Sequence, residues 1–148
     1  MRQPTRNTHG KVEKKRPIRK YPHVRKRKHP EYGTSKLEER FARDFLDKLG
    51  LEYVYQYKMG SIGRYADFFI RGHNTIIEVD GDYYHAYGLL YEEMSPMQKR
   101  NKKVDEKKDR WCSMNGVKMI RIWEHDINKQ PSKVIRMLKE AFGIIDRK

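Results

Sequence analysis

RYADFFIRGHNTIIEVDG, residues 64–81, is the stretch whose pairing decides the fold. Two runs rich in β-branched and aromatic residues, 65–70 and 75–80, flank Arg71, Gly72, His73 and Asn74. This polar link carries a glycine where positive φ costs little, so the pattern predicts an antiparallel hairpin. Pairing symmetric about Gly72 and His73 sets Phe69 opposite Ile76, Asp67 opposite Glu78 and Ala66 opposite Val79. Side chains opposed in this way have Cβ atoms about 4.5–5.5 Å apart. Asp80, two residues past Glu78, shares its face. Three carboxylates are therefore expected to converge on one side of the sheet. Like charges that close disfavour joint ionisation, and a hard divalent cation, Mg²⁺ or Mn²⁺, relieves the conflict. For any single carboxylate the competing reading is a solvated strand end, or a bulge that shifts the register.

Outward from the hairpin, EVDGDYYH puts His85 five residues after Asp80. A neutral imidazole there is a candidate to accept a proton from water or pass one to a leaving oxygen. Tyr83 and Tyr84 read equally as base-stacking groups or as core aromatics. Upstream, residues 53–57 form another strand candidate. Before it, Leu37, Phe41, Phe45, Leu46 and Leu49 recur at helical spacing up to Gly50, and Ser35 and Glu38 have capping-box spacing. Downstream, a loop over about 86–94 leads to Ser95, Pro96 and Gln98, a second helix start. That helix runs through Val104, Lys108 and Trp111 to a stop at Gly116. A strand over 118–123 and a helix from about 132 to 142 follow. The order α-β-β-β-α-β-α predicts an α/β (α+β) fold, a mixed four-stranded sheet flanked by helices.

Length and charge set the domain plan. The chain has 148 residues and a formal net charge of +14, room for one domain and a tail. Residues 1–33 hold 12 basic and 2 acidic residues, a net of +10, while 34–148 hold 22 and 18, a net of +4. Pro4, Pro17, Pro22 and Pro30 interrupt any long helix in the first segment. The expected plan is a basic, flexible tail over 1–33, including Arg25, Lys26, Arg27 and Lys28, and a domain over 34–148. Such a tail is drawn to a polyanion by counterion release, though a localisation signal has the same composition. A single cysteine, Cys112, excludes an internal disulfide and any zinc site built from several thiolates. No apolar run has the length needed to cross a bilayer, and the start lacks the apolar core of a secretory signal. An intracellular protein with no membrane partner is expected.

Taken together, these motifs resemble the PD-(D/E)XK nuclease superfamily, in the branch that holds very short patch repair endonucleases and EDxHD homing endonucleases. The resemblance runs from about residue 35 to 126. It rests on Glu38 in SKLEERF, Asp67 in YADFF, the EVDG segment with His85, Asp105 in DEKKDRW, and the closing strand GVKMIRIWE. It implies a restriction-endonuclease-like core and hydrolysis of double-stranded DNA with Mg²⁺ or Mn²⁺. Asp67 then stands as the central metal ligand, with the Val79 carbonyl as a second. Glu78 takes the acidic position of the general E-x-K motif, and Asp80 stands where many members have lysine, which leaves proton transfer to His85. Asp105 orients His85 or holds a water, and Glu38 does the same from the first helix. Glu38 as a mere helix cap and Asp105 as a surface charge remain open, and Asp109 competes with Asp105 one turn away.

Arg64, Lys99, Arg100, Lys102 and Lys103 are candidate contacts to the phosphate backbone, against the plainer reading of a solvated basic helix. The repair branch resembles a zinc-stabilised domain with several Cys and His residues, which one cysteine cannot supply in the same way. The EVDG segment and basic tail resemble the homing branch, found in mobile-element or phage enzymes. A mismatch-nicking enzyme and a non-catalytic basic nucleic-acid-binding protein are the alternatives. Cytoplasmic or nucleoid-associated placement follows from DNA as partner, and a homo-oligomer stays open.

Overall fold

The structure, a computed structural model, describes residues 36–146. The tail residues Arg25, Lys26, Arg27 and Lys28, and the expected cap Ser35, lie outside the described residues. Helix α1 (Lys36–Phe41) continues into a π-helical turn over Ala42–Asp47, a widening that the spacing of apolar residues did not announce. The wider turn brings Phe41, Phe45 and Leu46 into the core together, with the two phenyl rings stacked at 5.3 Å.

Strands β1 (Tyr53–Lys58), β2 (Tyr65–Ile70) and β3 (Thr75–Asp80) form an antiparallel meander, and β4 (Lys118–Trp123) lies parallel to β3 in the order β1-β2-β3-β4. The hairpin register is the expected one: Phe68 pairs with Ile77, Phe69 with Ile76 and Ile70 with Thr75. Gly72 (φ 78°) and Asn74 (φ 48°) supply the left-handed conformations that turn the chain. A parallel neighbour needs a crossover. Helix α2 (Pro96–Asn115) provides it, capped where expected: Ser95 Oγ accepts from Gln98 N and Ser95 N donates to Gln98 Oε1. It stops at Gly116 in the left-handed conformation. Two helices close the fold, α3 (Glu124–Lys129) and α4 (Pro131–Phe142). The short α3 went unread in the sequence because Ile127 is its one buried residue, too little to make a periodicity.

The helices cover both faces of the sheet. On one face Phe41, Phe45, Leu46, Ile127, Val134, Leu138 and Phe142 pack on Phe68, Ile70, Ile77, Val79, Ile120 and Ile122. On the other, Met59, Ala66, Ile76 and Cys112 form a smaller apolar cluster with Trp111 and Met119 beside it. Every residue of β3 is buried, Glu78 and Asp80 included. A strand with neighbours on both edges and helices on both faces has no solvent side, so these two carboxylates need partners inside the protein.

Candidate active site

The partner of Glu78 comes from α2, and those of Asp80 come from β4 and the loop after β3. Gln98, Asn101, Asp105, Lys108 and Cys112 are spaced three and four residues apart, which puts them on one helical stripe. Cys112 joins the apolar cluster, while the other four meet polar groups of the sheet and of the loop after β3. Lys108 Nζ donates to both oxygens of Glu78 at 3.0 and 3.1 Å, and both side chains are largely shielded from water.

Asp67 sits where two backbone ladders break. Pairing of β1 with β2 skips Gln56, itself at φ 55°, opposite Asp67, and pairing of β2 with β3 stops at Phe68 and Ile77. Side chains fill the gap: Asp67 N donates to Glu78 Oε1 at 3.2 Å, and Val79 N donates to Asp67 Oδ2 at 2.8 Å. The two opposed carboxylates thus brace one another's strands. Burial pushes the Asp67 carboxyl well above the usual carboxylate range, and the negative charges of Glu78 and Glu38 push it further. Burial also raises Glu78, against the pull of Lys108. Glu38 comes in from α1, where Tyr55 Oη donates to its Oε2 at 2.5 Å. Burial, then that same carboxylate, drives the Tyr55 phenol well above its ordinary range.

The second group lies further along the same face. His85 Nδ1 is 2.6 Å from Asp105 Oδ2, and Nε2 is 3.7 Å from Asp80 Oδ1, beyond hydrogen-bond reach. An ionised Asp105 accepts, so Nδ1 carries the hydrogen and a neutral ring keeps its lone pair on Nε2. Burial opposes the imidazolium, but the Asp105 hydrogen bond and the charges of Asp80 and Asp105 outweigh it and raise the His85 pKa. Arg121 of β4 spans the carboxylates: Nη1 is 3.3 and 3.4 Å from the Asp80 oxygens, and Nη2 donates to the Asp105 carbonyl at 3.2 Å and to Asp109 Oδ1 at 2.8 Å. Burial raises Asp80 in spite of His85 and Arg121. Asp105, not Asp109, makes the contact to His85.

The expectation of three converging carboxylates needs correction. Asp80 shares the face with Glu78, but it pairs with Arg121 and lies near His85, while Glu78 is bonded to Lys108 and to the Asp67 backbone. Among the described residues no three His, Cys, Asp or Glu side chains are grouped closely enough to hold a metal ion. What the face offers is two carboxylates and the backbone of Val79 at one place, and a carboxylate-bound histidine at the next.

The loop between β3 and α2 is pinned at several points. Gln98 Nε2 donates to the Tyr83 carbonyl at 2.5 Å and Asn101 Nδ2 to the Tyr84 carbonyl at 2.9 Å. Asp82 bonds to the start of α3 both ways, its N donating to Glu124 Oε1 and its Oδ1 accepting from His125 N. Ala86 holds φ 57°, a conformation that costs a non-glycine residue about 1–2 kcal/mol. On this fixed backbone Tyr83 and Tyr84 are 66% and 61% exposed, which removes the core reading for both. Arg64, Arg100, Lys102 and Lys103 are exposed, and Lys99 lies over the Tyr91 ring at 4.7 Å.

Sequence reasoning missed Lys108 and Arg121 as partners of the acidic groups, and Tyr55 as the anchor of Glu38. The polar stripe of α2 was the available signal for Lys108. No helix among the described residues is long and apolar enough to cross a membrane. No protein-family model, no curated protein and no solved structure matches this chain.

Proposed function

We propose that this protein is a metal-dependent DNA endonuclease of the PD-(D/E)XK type, and within it a site-specific enzyme of the homing kind. One observation carries the reading. Asp67 and Glu78, buried and bonded into each other's strands, share a sheet face with a His85–Asp105 pair. Natural folds rarely bury so many charges on one face without a functional return.

The donor set suits a hard cation. Asp67 and Glu78 with the Val79 carbonyl are all oxygen, and the burial that holds both carboxyls above their usual range is what a divalent charge offsets. Mg²⁺ commonly binds through one or two carboxylates and keeps several waters, so a third side chain is not needed. When bound, the cation supplies Lewis-acid polarisation of a phosphate oxygen.

The chain's own residues do the remaining work. Neutral His85 accepts a proton at Nε2 from the attacking water as the new P–O bond forms and the ester P–O bond to the leaving oxygen breaks. Asp105 holds the ring by Nδ1 and stabilises the imidazolium that results. Exposed Arg64, Arg100, Lys102 and Lys103 bind the phosphodiester backbone and contribute no sequence reading.

The test is nicking of a supercoiled plasmid pool with randomised inserts, in Mg²⁺ or Mn²⁺, by wild type and Asp67→Ala, with gel-shift binding at matched salt. The proposal expects cleavage by the wild type and loss of cleavage with retained binding in the variant. Binding without cleavage by both proteins overturns it in favour of a non-catalytic basic nucleic-acid-binding protein.

A further inference from the structure

Arg121 lies in the closing strand GVKMIRIWE but is given no role there, yet its guanidinium reaches Asp80, Asp105 and Asp109. Its guanidinium reaches from the middle of β4, directly beside Glu78 in the parallel ladder, and is largely buried. One edge faces Asp80 at 3.3 and 3.4 Å. Nη1 is also 3.6 Å from Asp105 Oδ1, and Nη2 takes the Asp105 carbonyl and Asp109 Oδ1. One planar cation therefore joins both carboxylates that flank His85. The rigid fork suits this; a lysine ammonium presents a single point of charge.

The distances divide the two flanking carboxylates into different roles. Asp105 bonds to Nδ1 at 2.6 Å, while Asp80 stands off from Nε2 at 3.7 Å. A buried carboxylate beside an imidazolium N–H closes to a charge-assisted bond unless something else holds it. Arg121 is what holds Asp80, through both of its oxygens. We infer that Arg121 is a positioning residue, which draws Asp80 back from Nε2 and fixes Asp105 on Nδ1, so that His85 presents one unbonded nitrogen to the reacting proton. Without it the ring takes a second proton from solvent, Asp80 closes on the Nε2–H, and the imidazolium is gripped at both ends with no lone pair left to act as base. The inference rests on the endonuclease reading for its consequence in catalysis, but its structural half stands apart from it.

Two readouts separate the halves. Long-range ¹H–¹⁵N correlation of the His85 ring reports which nitrogen is protonated, whether or not the protein cleaves anything. Wild type is expected to show hydrogen on Nδ1 and a free Nε2, and Arg121→Met to show Nε2 newly hydrogen-bonded. In the plasmid assay Arg121→Met is expected to lose about 10–100-fold in rate with little change in DNA binding, the range seen when a partner that orients a catalytic group is removed. Arg121→Lys, which keeps the charge but not the fork, should fall between.

Arg121→Met leaves Asp80 buried without its cation, so the double variant Arg121→Met/Asp80→Ala, which leaves no donor or acceptor beside Nε2, is made beside it. With the competing carboxylate gone, Nε2 is free again, and a gain of at least 5-fold over Arg121→Met is expected; if the single variant does not fold, the double variant should still cleave within about 10-fold of wild type. An unchanged ring signature in Arg121→Met with cleavage within twofold of wild type overturns the inference. So does a folded double variant whose Nε2 remains bonded. If the wild type does not cleave but the ring signatures change as described, the positioning stands and the endonuclease reading fails.

Discussion

One face of the sheet meets its helices with phenylalanine, leucine, isoleucine and valine; the other adds to a smaller apolar cluster the ion pairs of Glu78 with Lys108 from α2 and of Asp80 with Arg121 from β4. The same strands serve both, since alternate residues point to opposite sides. Burying the first set removes apolar surface from water and stabilises the fold by about 25 cal/mol per Å². Burying the second exchanges hydration for ion pairs that roughly break even. The apolar face therefore explains why the chain folds. The polar face needs another explanation, and the site proposed above, which would keep its charges out of water, offers one.

Breaking either face should cost much the same in stability for opposite reasons. Phe68→Ala opens a cavity between β2 and α1 and should lose about 3–5 kcal/mol in urea unfolding. Lys108→Met should lose a similar amount, about 3–5 kcal/mol, because it strands Glu78 without its cation. Only the second loss is reversible by a charge change: Lys108→Met/Glu78→Gln should recover most of it. A Lys108→Met protein as stable as wild type would erase the contrast between the faces.

The polar face also gives stability a pH dependence that the apolar face lacks. Asp67, Glu78, Asp80 and His85 are all raised by their surroundings, so the native state holds protons more tightly than the unfolded chain. The carboxyl contributions are complete below the ordinary carboxylate range, and that of His85 below about 6.5; each fades as pH rises through its raised folded value. In chelator, Tm is expected to fall between about pH 5 and pH 8, and Mg²⁺ should restore more of it at the alkaline end. A Tm that climbs over that interval in chelator would contradict the assignment of these shifts.

Smaller effects sharpen the picture at the rim. Gln98→Ala removes the side-chain half of the reciprocal helix cap and the bond to the Tyr83 carbonyl, and about 1–2 kcal/mol is expected in thermal or urea unfolding. Lys102→Ala breaks a 3.7 Å exposed pair with Glu106 and should change stability by less than about 0.5 kcal/mol. In gel shifts the same variant should weaken DNA binding slightly and lower its salt dependence, as loss of one phosphate contact does.

The apolar face was legible because hydrophobic periodicity is its cause. The hairpin register followed from Phe69, Ile76 and a four-residue link, and the capping of α2 from Ser95, Pro96 and Gln98. For Asp105 the resemblance implied either a bond to His85 or a hold on water, with Asp109 as competitor; the contact to His85 is made by Asp105. The polar face was read only in part. Asp67 and Glu78 lie opposed, but Asp80 turns to Arg121, a residue 41 positions away that only the parallel pairing of β4 brings near. The break in the ladders at Asp67 was equally hidden, since it depends on Gln56 and on side chains taking over backbone bonds. Periodicity says which side a residue faces; it does not say which of several nearby charges it will choose.

A Mn²⁺-soaked crystal, read by anomalous scattering, asks whether the buried carboxylates of the polar face hold a cation. The expected result is an ion held by Asp67 and Glu78, with the Lys108 ammonium turned away from the Glu78 oxygens it now touches. An ion that settles instead between Asp80 and Asp109, or crystals that bind none with Lys108 still seated on Glu78, would contradict it.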